Sequence, residues 1–245
     1  MMDRKPRLGN IGRTLIFIHS ILMRERNMRI LKATSENIRV ASRIVRNGGL
    51  VVYPTDTVYG LGCDPVNADA VNRVFAAKGE RKKPLPVLSC SLADIEKIAR
   101  LSDVARRIAA EFWPGPLTII VPKKPTLPDF VTCNLDSVGV RIPENDVAAQ
   151  LIRWSEGFLV GTSANKTGHR PACTASEALE KLGEEVDAIL DGGRAPLGEP
   201  STVVDLTTEK PKILRQGGIA FKDILACMLI DSHHDVALEG DRIAE

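Results

Sequence analysis

The chain reads as an α/β protein built around a mixed sheet with flanking helices. Three observations carry that reading. Short β-branched runs alternate with capped, amphipathic helical runs along nearly the whole length. No Pro/Ser-rich linker interrupts the alternation, and no segment repeats. The 245 residues, 44% of them hydrophobic, suffice for a substantial core. We place one domain at about 28–226, preceded by a leader (1–27) and followed by an acidic tail (227–245).

The elements follow in order. Ser35 is the expected N-cap of a first helix with Ile38, Ala41, Ile44 and Val45 on its inner face, ended by Gly48-Gly49. Leu50 to Tyr53 is a buried strand that Pro54 stops, because proline has no N–H for the ladder. Asn67 opens a second helix, which ends at Gly79. Leu85 to Leu88 reads as a strand. Ser91, with Asp94 as a capping box, and Ser102 start two more helices, the latter stopped by the rigid Trp113-Pro114-Gly115-Pro116 turn. Leu117–Val121 and Ser137–Pro143 are strands around a loop-like Lys123–Asn134. Asn145 caps a helix, Phe158–Gly161 is a strand, and Thr174 with Glu177 opens another helix. Strands at 187–190, 200–205 and 212–215 precede a final helix from about Ala220.

The stretch Gly48 to Pro65, GGLVVYPTDTVYGLGCDP, organises the rest. Its strand delivers Thr55-Asp56-Thr57 to one edge, followed by Gly60-Leu61-Gly62, where the backbone bends tightly or approaches a ligand. A second strand end carries the similar set Thr162-Ser163-Ala164-Asn165. Lys78-Gly79-Glu80-Arg81-Lys82-Lys83-Pro84 is a basic loop between two ordered elements, which suits a phosphate site. Arg141 sits alone near a strand end, either paired at the edge of the core or aimed at an anion.

Charge and composition exclude several classes. The net charge of +2 sets up no overall field for nucleic acid. It is uneven: residues 1–27 carry +4 and residues 227–245 carry −4. The apolar run Leu15–Met23 is too short to span a bilayer, which needs about 20 apolar residues. No signal-peptidase-like site follows it, and Met28 is the expected natural initiator, so the leader is read as disordered or a misassigned start. Five scattered cysteines make neither a disulfide framework nor a zinc site, which fits a reduced, cytoplasmic setting. The tail's His233-His234 is read as solvated. P-loop, dinucleotide, zincin and nucleophile-elbow motifs are absent. The residues point to a nucleotide or other phosphate ligand held without a Walker motif.

Seven blocks in order carry a resemblance: YPTDTVYGLGCDP (53–65), KGERKKPLPVL (78–88), WPGPLTIIV (113–121), VGVRIP (138–143), TSANKTG (162–168), PSTVVD (200–205) and ILRQGGI (213–219). The chain resembles the YrdC family, the threonylcarbamoyl-AMP synthases, in its single-domain form. The resemblance implies a twisted sheet with a concave basic cleft. It implies that L-threonine, bicarbonate and ATP, with Mg²⁺ bridging the phosphates and no metal held by protein ligands alone, give threonylcarbamoyl-AMP and pyrophosphate. The product would serve threonylcarbamoyladenosine modification of tRNA, with tRNA or a transfer complex as partner and no membrane. On the family's pattern Lys78 and Arg81 are the catalytic pair. Thr55, Arg141 and Ser201 form the threonine pocket. Arg81, Lys83, Thr118, Ser163, Asn165, Thr174 and Arg215 meet ATP.

Three departures stand out. The basic pair is spaced Lys78-x-x-Arg81 instead of K-x-R. Lys83 and Leu88 occupy places where the family commonly has Asn and His. His169-Arg170 is inserted after TSAN, with Ala172 where a serine is usual. Two other readings differ in kind. One is a double-stranded RNA- or tRNA-binding module without catalysis, which the eight Phe and Tyr and two Trp residues support poorly. The other is a carbamoyl-adenylate module like that of hydrogenase-maturation enzymes, whose partner domains this chain lacks.

Overall fold

A computed structural model describes residues 30–79 and 83–229. The expected leader and start, Arg81, and residues 230–245 of the acidic tail lie outside the described residues.

A short strand, β1 (Ile30–Lys32), comes first; the sequence reading did not single it out. Thr34, one residue before the expected cap, accepts from the Asn37 N–H and starts α1 (Ser35–Arg46). Next come β2 (Val51–Tyr53) and β3 (Gly60–Gly62). The Gly60-Leu61-Gly62 run is a strand antiparallel to β2, not a bend. A Cβ at Gly60 would lie 2.8 Å from the Tyr53 ring, and one at Gly62 would lie 2.7 Å from the Val160 carbonyl oxygen. Close packing, more than a turn, demands glycine here. Asn67 accepts from the Ala70 N–H and caps α2 (Ala68–Lys78), which Gly79 ends at φ +89°.

The chain continues through β4 (Val87–Ser89), α3 (Leu92–Ile98), α4 (Asp103–Phe112) and β5 (Leu117–Pro122). A single turn, α5 (Asp129–Thr132), interrupts the stretch read as loop. Then follow β6 (Ser137–Arg141), α6 (Asp146–Trp154), β7 (Phe158–Val160), β8 (Thr162–Ser163) and α7 (Ala175–Leu182). Last are β9 (Ala188–Asp191), β10 (Thr202–Asp205), β11 (Lys212–Arg215) and α8 (Phe221–Leu229). Ser91, Ser102, Asn145 and Thr174 all cap helices as read.

The strands form two mixed sheets: five strands in the order β1-β9-β2-β3-β8, and six in the order β11-β10-β5-β6-β4-β7. They meet where β7 passes into β8. The Gly161 N–H reaches the Pro86 carbonyl at 2.9 Å, and a Cβ on Gly161 would lie 2.3 Å from Leu88 Cγ. One core packs α1 and α6 (Ile38, Ala41, Val45, Leu151, Ile152) against Val51, Tyr53, Leu88 and Leu190. A larger one gathers α2, α4 and α7 (Val71, Val74, Ile108, Ala178) with Leu61, Leu117, Ile119 and Val140. Strand ends of both sheets therefore open onto one cleft.

Candidate active site

The cleft holds about 420 Å³ and is lined from both sheets and the connecting loops. Its described lining carries four basic side chains, Lys78, Lys83, Arg141 and Arg215, and no carboxylate. Thr55, Thr118, Ser163, Asn165 and Ser201 line it too. Of the residues expected to meet ligands, Thr174 stands apart. It is not among the lining residues, and its hydroxyl caps α7 by accepting from the Glu177 N–H at 3.2 Å. Arg81 lies outside the described residues.

Lys78 is the last residue of α2, so the helix end projects its side chain into the cleft. Its Nζ donates to the Ser163 carbonyl at 2.6 Å and, more weakly, to Asn165 Oδ1 at 3.4 Å. The Asn165 amide is oriented for this: its Nδ2 donates to the carbonyls of Lys166 and His169, both at 2.7 Å. The inserted His169 thus supplies, through its backbone, one of the bonds that turn Oδ1 toward Lys78. The Thr167 N–H closes the loop onto α2 by reaching the Lys78 carbonyl at 2.8 Å. Burial lowers the Lys78 ammonium to about 8. One of its three N–H donors remains for a ligand.

On the six-stranded sheet, Thr118, Val203 and Arg215 fall in one row across β5, β10 and β11. Ser201 lies just before β10 and joins the ends of that row. Its Oγ is 2.8 Å from Thr118 Oγ1 and accepts from Arg215 Nη2 at 3.0 Å, while Arg215 Nε donates to its carbonyl at 2.9 Å. Burial lowers the Arg215 pKa, and the nearby Arg141 charge lowers it further.

Arg141 resolves the two readings left open for it: it is paired and it faces the cleft. Nε donates to the Gly115 carbonyl at 2.8 Å, Nη1 to Thr57 Oγ1 at 3.0 Å, and Nη2 to Asp56 Oδ1. Burial lowers its pKa against the opposing pull of Asp56. The hydroxyls behind it form an ordered chain. Thr55 gives its only proton to the Val58 carbonyl at 2.7 Å, so Thr57 must donate across the 2.9 Å contact to Thr55. Thr57 is then free to accept from Arg141. Thr55 also accepts from the Thr57 and Val58 N–H groups. Its hydroxyl is occupied within the loop that it shapes, although the residue lines the cleft. Leu88, in register with Arg141 on one side and Leu159 on the other, adds an apolar residue to the lining.

Asp56 and Thr57 were read from sequence only as part of the polar strand end Thr55-Asp56-Thr57, with no role or partner given to either. The signal lay in their adjacency to Thr55, but the partner, Arg141, is 85 positions from Asp56 along the chain.

A family model described as "Telomere recombination" (Sua5/YciO/YrdC) matches residues 43–217. The chain belongs to this family. A threonylcarbamoyl-AMP synthase of Pyrococcus abyssi is 39% identical over 189 residues, 76% of this chain but 56% of that protein's length. The threonylcarbamoyl-AMP synthase of Methylococcus capsulatus is 40% identical over 172 residues, 69% of this chain and 91% of that protein. Among solved structures, P. abyssi Sua5 complexed with L-threonine superposes with a TM-score of 0.77 at 37% identity, covering 81% of this chain and 59% of that one. E. coli YciO gives 0.72 at 28% identity, covering 78% and 94%. The twisted α/β architecture expected from the seven blocks is thus the family's fold.

Proposed function

We propose that the cleft makes threonylcarbamoyl-AMP from L-threonine, bicarbonate and ATP. One observation supports this above the others: a single cleft whose described lining presents four cations and no carboxylate, with hydroxyls between them. Such a lining suits a reaction that gathers a carboxylate, a carbamate and a triphosphate in one place. The names of the family relatives and the threonine complex of the P. abyssi protein point the same way.

The chemistry balances as follows. Bicarbonate takes up a proton, balanced by the one the amine releases in the next step, and loses water to supply CO2. The neutral threonine amine adds to its carbon and loses a proton, giving a carbamate. A carbamate oxygen then attacks the ATP α-phosphorus, and the bond from that phosphorus to the bridging oxygen breaks to release pyrophosphate. The protein's share is positioning and charge. Lys78, largely protonated at neutral pH, faces the carbamate and phosphates, together with Arg81. Arg141 takes the threonine carboxylate with its remaining donors, and Leu88 packs beside it. Arg215, Ser201 and Thr118, with Asn165, Ser163 and Lys83, hold the nucleotide. Thr55 acts by shaping the loop whose Asp56 and Thr57 bond Arg141, and Thr174 by capping α7. No cluster of three or more His, Cys, Asp or Glu side chains is poised for a metal among the described residues. The cations and hydroxyls of the lining suit ATP brought in as its Mg²⁺ complex, in which the ion would offset phosphate charge. The reaction is a nucleotidyl transfer, and its product would feed threonylcarbamoyladenosine formation on tRNA. No helix among the described residues is long and apolar enough to cross a membrane.

The test is pyrophosphate release from MgATP and bicarbonate, with L-threonine, L-serine or no amino acid. Threonine-dependent release is expected. Absence of release from folded protein, or equal release with serine, would overturn the assignment.

A further inference from the structure

Asp56 lies on the loop after β2, with its backbone carbonyl bonded to the Leu197 N–H at 3.0 Å. Its residue exposure is 4% and that of Arg141 is 5%, so the ion pair between them is buried. A buried pair is weak grounds for stability, since apolar residues of similar volume often serve as well. Its place at the floor of the cleft calls for another reason.

The bonding pattern supplies one. A guanidinium has five N–H donors. Three are taken by Gly115, Thr57 and Asp56, each on a different nitrogen. A bidentate Asp56 would use a further donor. Here only Oδ1 engages Arg141, and Oδ2 is buried without a hydrogen-bond partner. One N–H on each terminal nitrogen is left over. Asp56 also offsets the charge of Arg141 next to a second guanidinium, Arg215, whose pKa Arg141 already lowers.

We infer that Asp56 is a positioning residue for amino-acid recognition: its carboxylate and the Thr57 hydroxyl hold Arg141 so that its two remaining donors meet the carboxylate of the incoming amino acid. This rests on the reading of Arg141 as the carboxylate partner of L-threonine. Asp56 acts through Arg141 and does not itself touch the ligand.

The experiment is calorimetric titration of L-threonine and of ATP into wild type, Asp56→Ala, Asp56→Asn, Arg141→Ala and the Asp56→Ala/Arg141→Ala double variant, each first shown to be folded by circular dichroism. Asp56→Ala and Arg141→Ala should each weaken threonine about tenfold or more while ATP changes less than about threefold. Asp56→Asn, which keeps an acceptor oxygen, should lose only about threefold for threonine. The double variant should bind threonine no more than about twofold worse than Arg141→Ala alone, because the two residues form one unit. An unchanged threonine affinity in Arg141→Ala overturns the role given to Arg141, and this inference with it. A loss in Arg141→Ala with none in Asp56→Ala, or losses that multiply in the double variant, overturns the Asp56 role alone. Should Asp56→Ala not fold, Asp56→Asn decides: no loss for threonine, or equal losses for both ligands, overturns it.

Discussion

Lys78 combines burial with a charge that the chemistry needs, and its titration gives the most direct test at the level of single residues. Its ammonium sits near 8 instead of its ordinary 10.5 because burial disfavours the charged form. It is therefore cationic below about pH 8 and loses its proton above it. Under the role proposed for Lys78, ATP binding should be nearly constant up to pH 7 and then weaken, by at most about tenfold per pH unit. Titrations of ATP at pH 6.5 to 9.5 check the sign, and the dependence should vanish in Lys78→Ala. The same variant should lower pyrophosphate release by about 10²-fold or more, the scale of losing one preorganised donor to a developing charge. Lys78 and Arg141 were legible in the chain because a cation beside a glycine or at a strand end is conspicuous. The pairing of Asp56 was not, since a carboxylate at a polar strand end looks the same whether it is solvated or paired across 85 positions.

At the level of elements, caps and crossings behave differently. Asn67, Ser91, Ser102 and Asn145 cap their helices through a local bond to the N–H three residues on. Such a bond depends on neighbouring letters, so it can be read from them. Asn67→Ala should cost about 1 kcal/mol in denaturant unfolding, with catalysis little changed, because Lys78 sits at the far end of that helix. Gly161 is the opposite case. It stands where β7 of one sheet becomes β8 of the other, and a Cβ there would drive into Leu88. Gly161→Val should destabilise by about 1–3 kcal/mol and displace the Ser163 carbonyl that anchors Lys78. Adding Leu88→Ala should recover part of the stability, read from the same unfolding curves. The bend read for Gly60-Leu61-Gly62 failed for the same reason: glycine serves a tight turn and a crowded strand equally, and the Tyr53 ring that crowds it is known only once the strands pair, although Gly60 does line the cleft.

For the molecule as a whole, the cleft lies between two sheets that share a corner at Val160 and Gly161. Its lining draws on both, with Ser163 from the five-stranded sheet and Arg215 from the six-stranded one, so a ligand filling it would bridge the two. Binding to the folded form alone stabilises it by mass action. MgATP at a hundred times its dissociation constant should add about 2.7 kcal/mol, and raise the thermal midpoint by about 5–10 °C for a domain of this size. A midpoint that does not move with MgATP, under conditions where titration shows binding, would mean that the nucleotide binds the unfolded chain as well.

Much of this protein was written in its local pattern. The alternation of strands and helices, five helix caps and the strand-end cations all follow from residues within a few positions of one another, where period, capping and turn chemistry act. The division into two sheets, the strand character of β3, the binding of Thr55's hydroxyl within its own loop, and the union of Asp56, Thr57, Gly115 and Arg141 were decided by the tertiary structure. The sheets and the Asp56–Arg141 union join segments far apart in sequence, and which distant backbone or charge a residue meets is set by how the sheets pair and pack. The hydroxyl of Thr55 is a local matter, but its proton's direction becomes definite only when the loop closes over Val58 and Arg141 arrives to saturate Thr57.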